Sequence, residues 1–251
     1  MRPALAVATG AVLLCAALVV TAPAALFDAR VATLSAGHLR LVNTAGTIWN
    51  GSGELVLLPA GTRQALRWHL NAWPLLRGEI RAQIASETEN VPNAAVVYGR
   101  DRLELHALEF ALPVESLLPL ATTAKLALGG TLLVNVDHLV WVGNALDAQL
   151  TVHWRDASLP GPRADARLAL GDVRIDLSGR GSELSGQVRN AGGDVEITGQ
   201  VAVAAAGTSS VEVVLRPRGG ERADPVTATL STLGVPDGQG GYHVHWSGAW
   251  R

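Results

Sequence analysis

The residues best placed to do chemistry in this chain are His243 and His245, because an i, i+2 spacing on an extended segment puts both imidazoles on one face. Tyr242, Val244 and Trp246 then occupy the other face. Two imidazoles begin a zinc site, but a structural site takes four ligands and a catalytic one three plus water. No third ligand follows nearby, so the pair reads as the polar face of a terminal strand. No Ser stands in a G-x-S-x-G elbow, and neither a P-loop nor an H-E-x-x-H pair is present. A single Cys, Cys15, excludes an internal disulfide and a thiolate cluster. With 20 basic residues against 22 acidic ones the net charge is -2, and all the basic residues except Lys125 are Arg. No electrostatic footprint for nucleic acid results. The expectation is a protein that is not an enzyme, with no catalytic residues, no metal and no cofactor.

The seven Trp against two Tyr and two Phe raise the reading of an aromatic platform, for a ligand or for a membrane interface. Trp68, Trp154 and Trp246 instead fall at apolar positions of alternating segments, which places all three in the core.

The elements that carry these residues are strands. Leu66, Trp68 and Leu70 alternate with Arg67, His69 and Asn71, and Ile80, Ala82 and Ile84 with Arg81 and Gln83. Leu103 and Leu105 alternate with Arg102, Glu104 and His106. The same period returns in Ala148, Leu150, Val152 and Trp154, in Val173, Ile175 and Leu177, and in Val195, Ile197, Val201 and Val203. Turn residues such as Gly51-Ser52-Gly53, Gly192-Gly193 and Gly238-Gln239-Gly240-Gly241 separate them and favour hairpins over crossover helices. Short helical turns are expected at Ala72–Arg77, closed by Gly78, and at Val114–Leu120 after Pro113. Arg216–Pro225 is expected to be a loop, and no layer of helices is foreseen. The fold class is therefore all-β: a large, mainly antiparallel twisted sheet with one or two short helices, either folded over as a sandwich or left as an open apolar groove. Such a groove has the character of a lipid site. The β domain is assigned to 28–251, as one body or as two lobes meeting near 109–130.

Ahead of the strands, Ala4 to Phe27 contains no charged residue and is rich in Ala, Leu and Val. A run of that length satisfies its own backbone hydrogen bonds in lipid as a helix, and about 20 residues cover a hydrocarbon core. The expectation is a transmembrane anchor at 4–27, a cytoplasmic tail at 1–3 carrying Arg2, and the bulk of the chain in the periplasm, by the bias of positive charge to the cytoplasm. A cleaved secretory signal ending near Ala22-Pro23-Ala24 is the alternative.

The run Gly46-Thr47-Ile48-Trp49-Asn50-Gly51, then Trp68 and Leu70, then Pro74-Leu75-Leu76-Arg77-Gly78, resembles the opening of the type II secretion system protein N family. Trp154-Arg155-Asp156-Ala157, Leu170-Gly171, Gly186-Gln187-Val188-Arg189-Asn190-Ala191-Gly192-Gly193, Gly199 and the strand from Gly241 extend the likeness over nearly the whole chain. The resemblance implies a single-pass inner-membrane protein with a periplasmic β domain. It would act by protein–protein contacts as an accessory part of the machine that exports folded proteins. The implied partners are other secretion subunits, among them the outer-membrane secretin or its inner-membrane connector. The family is also akin in architecture to AsmA-like anchored β proteins, so lipid binding or carriage is the alternative function. The edge expected to dock a partner is the terminal strand, through Tyr242, Val244 and Trp246.

Overall fold

The computed structural model describes residues 21–35, 37–58, 61–86, 94–117, 128–161, 166–219 and 223–249. Their alternating segments become antiparallel strands, and the chain divides after Val96 into two compact units. In the first, β1 (Leu39–Gly46), β2 (Asn50–Leu57), β3 (Thr62–Asn71) and β4 (Ile80–Ser86) pair in chain order. The helix α1 (Leu26–Leu34) and the turn before it supply Ala24 and Phe27 to the apolar face of these strands, where they meet Leu41, Leu66, Trp68 and Leu70. The Phe27 ring stands edge-on to Trp68, with centroids 5.5 Å apart.

This packing corrects the C-terminal limit of the expected anchor. Pro23 bridges to Thr47, the Ile48 N–H donates to the Ala22 carbonyl at 3.0 Å, and the Ala24 N–H donates to the Gly46 carbonyl at 3.2 Å. Residues 21–27 thus belong to the folded unit: Ala22 and Ala24 bond the β1–β2 turn, Leu26 and Phe27 open α1 by bonding back to Pro23 and Ala24, and Ala24 is buried on the sheet. Residues 4–20 of the run lie outside the described residues. No helix among the described residues is long and apolar enough to cross a membrane.

The strand β5 (Ala94–Tyr98) straddles the division. In the second unit β6 (Arg102–Pro113), β7 (Gly129–Val142), β8 (Ala145–Pro160), β9 (Arg167–Gly181), β10 (Glu183–Ala191), β11 (Val195–Ala204) and β12 (Thr208–Pro217) pair in sequence order. The terminal strand β14 (Tyr242–Ala249) then joins β12, with the two-residue β13 (Val235–Pro236) outside it. The stretch 109–130, expected as a meeting of lobes, lies within this unit. Its flanks are the legs of one antiparallel pair, in register from Arg102 opposite Val142 to Pro113 opposite Thr131. Both short helical turns appear as 3-10 helices, Trp73–Arg77 and Val114–Leu117, while 118–120 lie outside the described residues.

The second correction is a helix. α2 (Ala223–Leu233) follows β12, where the sequence reading has only a loop over 216–225 and no helix to cover the sheet. Val226 and Leu230 are buried, Leu230 completely, among Leu168, Leu170, Val188, Val195, Ile197 and Leu215 of β9 to β12. Val226, Leu230 and Leu233 recur at i, i+4 and i+7, the apolar stripe of a helix that pays its nucleation cost by packing.

Trp68 is buried as expected, and a Cβ on Gly51, directly opposite it in register, would stand 2.5 Å from the indole Cζ2. Trp154 is half-buried and its indole N–H donates to the Gly129 carbonyl at 2.9 Å. Trp246 departs from expectation: it is 50 % exposed, and its ring lies over Gly248 rather than in the core. Glycine substitutions separate three physical effects. Gly78, at φ 75 with open space around it, should lose roughly 1 kcal/mol as alanine through backbone strain alone. Gly51→Ala should lose more, because the indole of Trp68 must shift. Gly193→Ala should lose most, because φ is 77 and the new Cβ would sit 2.5 Å from the Leu170 carbonyl carbon, which is backbone and does not yield. Urea melts of the three variants check this order.

Candidate interaction edge

A strand edge recruits a partner through unpaired backbone donors and acceptors, so the question is which edges remain open. At β1 they are closed by side chains. The Leu39 N–H donates to Ser35 Oγ at 2.9 Å, and the Leu41 N–H to Asp28 Oδ1 at 3.0 Å. Asp28 is itself clamped by Arg40 through two hydrogen bonds, Nε to Oδ1 at 2.8 Å and Nη2 to Oδ2 at 2.6 Å. The Arg40 hydrogen bond and then the Leu41 N–H pull the Asp28 carboxyl down to about 2, so the cap stays charged far below neutral pH. Further along, Asn43 at φ 52 interrupts the register between Val42 and Ala45, which twists the strand away from flat pairing.

β14 is different. On its inner side it pairs with β12 from Thr208 opposite Ala249 to Leu215 opposite Tyr242, while β13 covers only Tyr242 and His243 on the outer side. The His243 carbonyl faces Gly234 on that outer side. Backbone direction alternates along a strand, so Val244 and Trp246 turn their N–H and C=O groups towards β12, and His245 and Ser247 turn theirs outward. The Gly248 carbonyl, which accepts from Ser209 Oγ on β12, agrees with this phase. The backbone groups that β14 turns outward beyond β13 belong to His245 and Ser247, not to Tyr242, Val244 or Trp246. Of these three, singled out from the sequence, Tyr242 and Val244 pack against the core cluster and Trp246 is half-exposed beside the edge.

His243 and His245 do share the polar face of β14, where His245 Nδ1 lies 3.4 Å from Glu212 Oε1 on β12. No group of three or more His, Cys, Asp or Glu among the described residues is placed to hold a metal ion. On the wet face of the second unit, charged side chains pair both between and within strands. Asp147 lies 3.3 Å from His138 and 2.9 Å from Arg180, and the hydrogen bond from His138, with that from Arg180, lowers its carboxyl pKa. Asp176 is lowered chiefly by its hydrogen bond from Arg174, with help from Thr151 and Arg189. Each carboxylate is held ionised, the opposite of a general acid poised near neutral pH. The capping of β1 by Ser35 and Asp28 escaped the sequence reading, because a polar residue ahead of a strand is too common to signal an edge cap.

The described residues therefore define an antiparallel β-meander protein with short helices, charge pairs on its wet face and a partly open terminal strand. Residues 37–245 match the family model for type II secretion system (T2SS), protein N, and the chain belongs to that family. It is 26% identical over 236 residues, covering 86% of this chain and 90% of the other, to the type II secretion system protein N of Aeromonas hydrophila. No solved structure matches it. Within the shared span, Gly51 under Trp68 and the Asn190–Gly193 turn hold structural positions, in keeping with the way those residues carried the resemblance.

Proposed function

We propose that this chain is an accessory component of the type II secretion machine, anchored in the inner membrane by the apolar run ahead of Thr21, without enzymatic activity or cofactor, and acting through protein–protein contacts in the periplasm. Family membership over 37–245 supports the machine, and the outward backbone groups of His245 and Ser247 are the observation that carries the mode of action. A strand from the periplasmic part of another secretion subunit, the secretin or its inner-membrane connector, adds to β14 beyond β13. Confinement to the membrane raises the effective concentration of such partners, so one short strand pairing suffices. The lipid-carrier alternative needs an open apolar lining, and the burial of Val226 and Leu230 of α2 in the second unit's core argues against one there.

His245→Pro tests the edge, since it removes an outward donor and leaves the β12 ladder in place. Capture of the partner subunits should weaken roughly tenfold, the scale of a lost hydrogen bond plus ring clash at the edge. His245→Ala, which loses the Glu212 contact but keeps the N–H, should capture like the parent. Val244→Pro strikes the donor facing β12 and should lower the melting temperature instead. Undiminished capture by a folded His245→Pro variant places the contact elsewhere.

A further inference from the structure

One end of the first unit gathers exposed apolar side chains around the point where the N-terminal chain enters it. The entering residues Ala22 and Pro23 lie against Thr47 and Ile48 in the β1–β2 turn. Beside that turn, Asn50 stands opposite His69, and the Leu70 N–H donates to the Trp49 carbonyl at 2.7 Å, so the last residues of β3 are at the same end. From there the chain passes through the 3-10 helix Trp73–Arg77 and returns at Arg81 opposite Asn71. The Asn71 side-chain carbonyl accepts from the Trp73 N–H at 3.1 Å and fixes the start of that helix, and Gly78 closes it. The result is a projection whose Trp73 is 78% exposed, with Leu75, Ile80 and, at the start of α1, Leu26 also exposed.

We propose that this end is a membrane-contact face, seating Trp73 and Leu75 in the interface of the phospholipid bilayer. The inference rests on the anchor reading above, and the chain itself supplies the argument for lipid over protein. Residues 4–20, which precede Thr21 directly, carry no charge, so whatever bilayer receives them must lie against this end and not the opposite one at the β2–β3 turn. Indole favours the headgroup region, where its ring is shielded and its N–H stays wet. The exposed Arg77, on the same 3-10 helix, suits lipid phosphates. Tether and projection together would give the first unit a defined orientation to the membrane instead of free rotation about one helix.

The test uses the full chain with Cys15→Ala, reconstituted in vesicles of phosphatidylethanolamine and phosphatidylglycerol, with a nitroxide placed at Ala72→Cys or, at the opposite end, at Arg63→Cys. Relaxation by lipid-soluble oxygen should exceed relaxation by an aqueous nickel chelate at position 72, and the reverse should hold at position 63. Adding Trp73→Asp and Leu75→Asp should return position 72 to aqueous behaviour while the protein still resists carbonate extraction. Arg77→Cys serves as a second site if Ala72→Cys fails to fold. A label at 72 that behaves as aqueous in carbonate-resistant protein overturns the contact face alone. Shielding from both reagents means burial against protein and also overturns it. Extraction of the parent by carbonate overturns the anchor reading itself.

Discussion

Asn190→Asp should be among the most damaging single-atom changes available in the second unit, lowering its stability by roughly 3 kcal/mol and its melting temperature by about 6–12 °C. The Asn190 amide sits where β9 meets the β10–β11 turn. Its Nδ2 donates to the carbonyls of Leu170, Val195 and Gly192, and its Oδ1 accepts from the Ile197 N–H at 2.7 Å. Aspartate keeps the acceptor but turns a charged oxygen towards three carbonyl oxygens in a half-buried place. Those carbonyls favour the neutral carboxyl, which can donate, so its folded-state pKa is raised. The deficit relative to the parent should therefore shrink as the pH falls through that raised pKa and be complete above it. Parallel thermal melts of parent and variant across acidic and neutral pH measure both the size and the sign. A pH-independent deficit would mean that the amide's donated bonds contribute little.

Leu230→Ala is the second large effect expected. Leu230 is completely buried where α2 lies on the face of β9 to β12, and its truncation leaves a cavity in a cluster drawn from several strands. A loss of about 3 kcal/mol is the usual scale for such a leucine. Thr227→Ala, on the exposed side of the same helix, should stay within about 0.5 kcal/mol of the parent. Chemical denaturation provides the comparison, and binding of an apolar dye reports whether the helix has loosened from the sheet. Equal stability of the two variants would show that α2 adds little to the core, and would reopen the groove that a lipid carrier needs.

The one-sided strands were legible because their signal is local. Period-two alternation in Leu66–Leu70, Val173–Leu177 and Val195–Val203 follows from the backbone itself, and the paired, buried residues are those it marked. The 3-10 turn closed by Gly78 and the family were legible for a related reason: glycines, a proline and tryptophans in fixed order record backbone demands such as the bare face of Gly51 beneath Trp68. What tertiary structure alone decided are the matters that depend on distant partners. α2, rich in Ala and Thr, carries an apolar stripe of only three residues, Val226, Leu230 and Leu233, too short to mark a helix by itself, and takes its stability from the sheet it covers. The end of the apolar N-terminal run is set not by hydrophobicity, which continues to Phe27, but by the β1–β2 turn that captures Ala22 to Ala24. Trp246 keeps the phase of a core residue and yet is half-exposed, because the cluster that buries Tyr242 and Val244 on its own strand does not extend to it. The open edge was decided in the same way: two side chains from outside β1 close one strand, and a two-residue partner leaves the other only partly covered, a difference of neighbours that alternation within a strand cannot record.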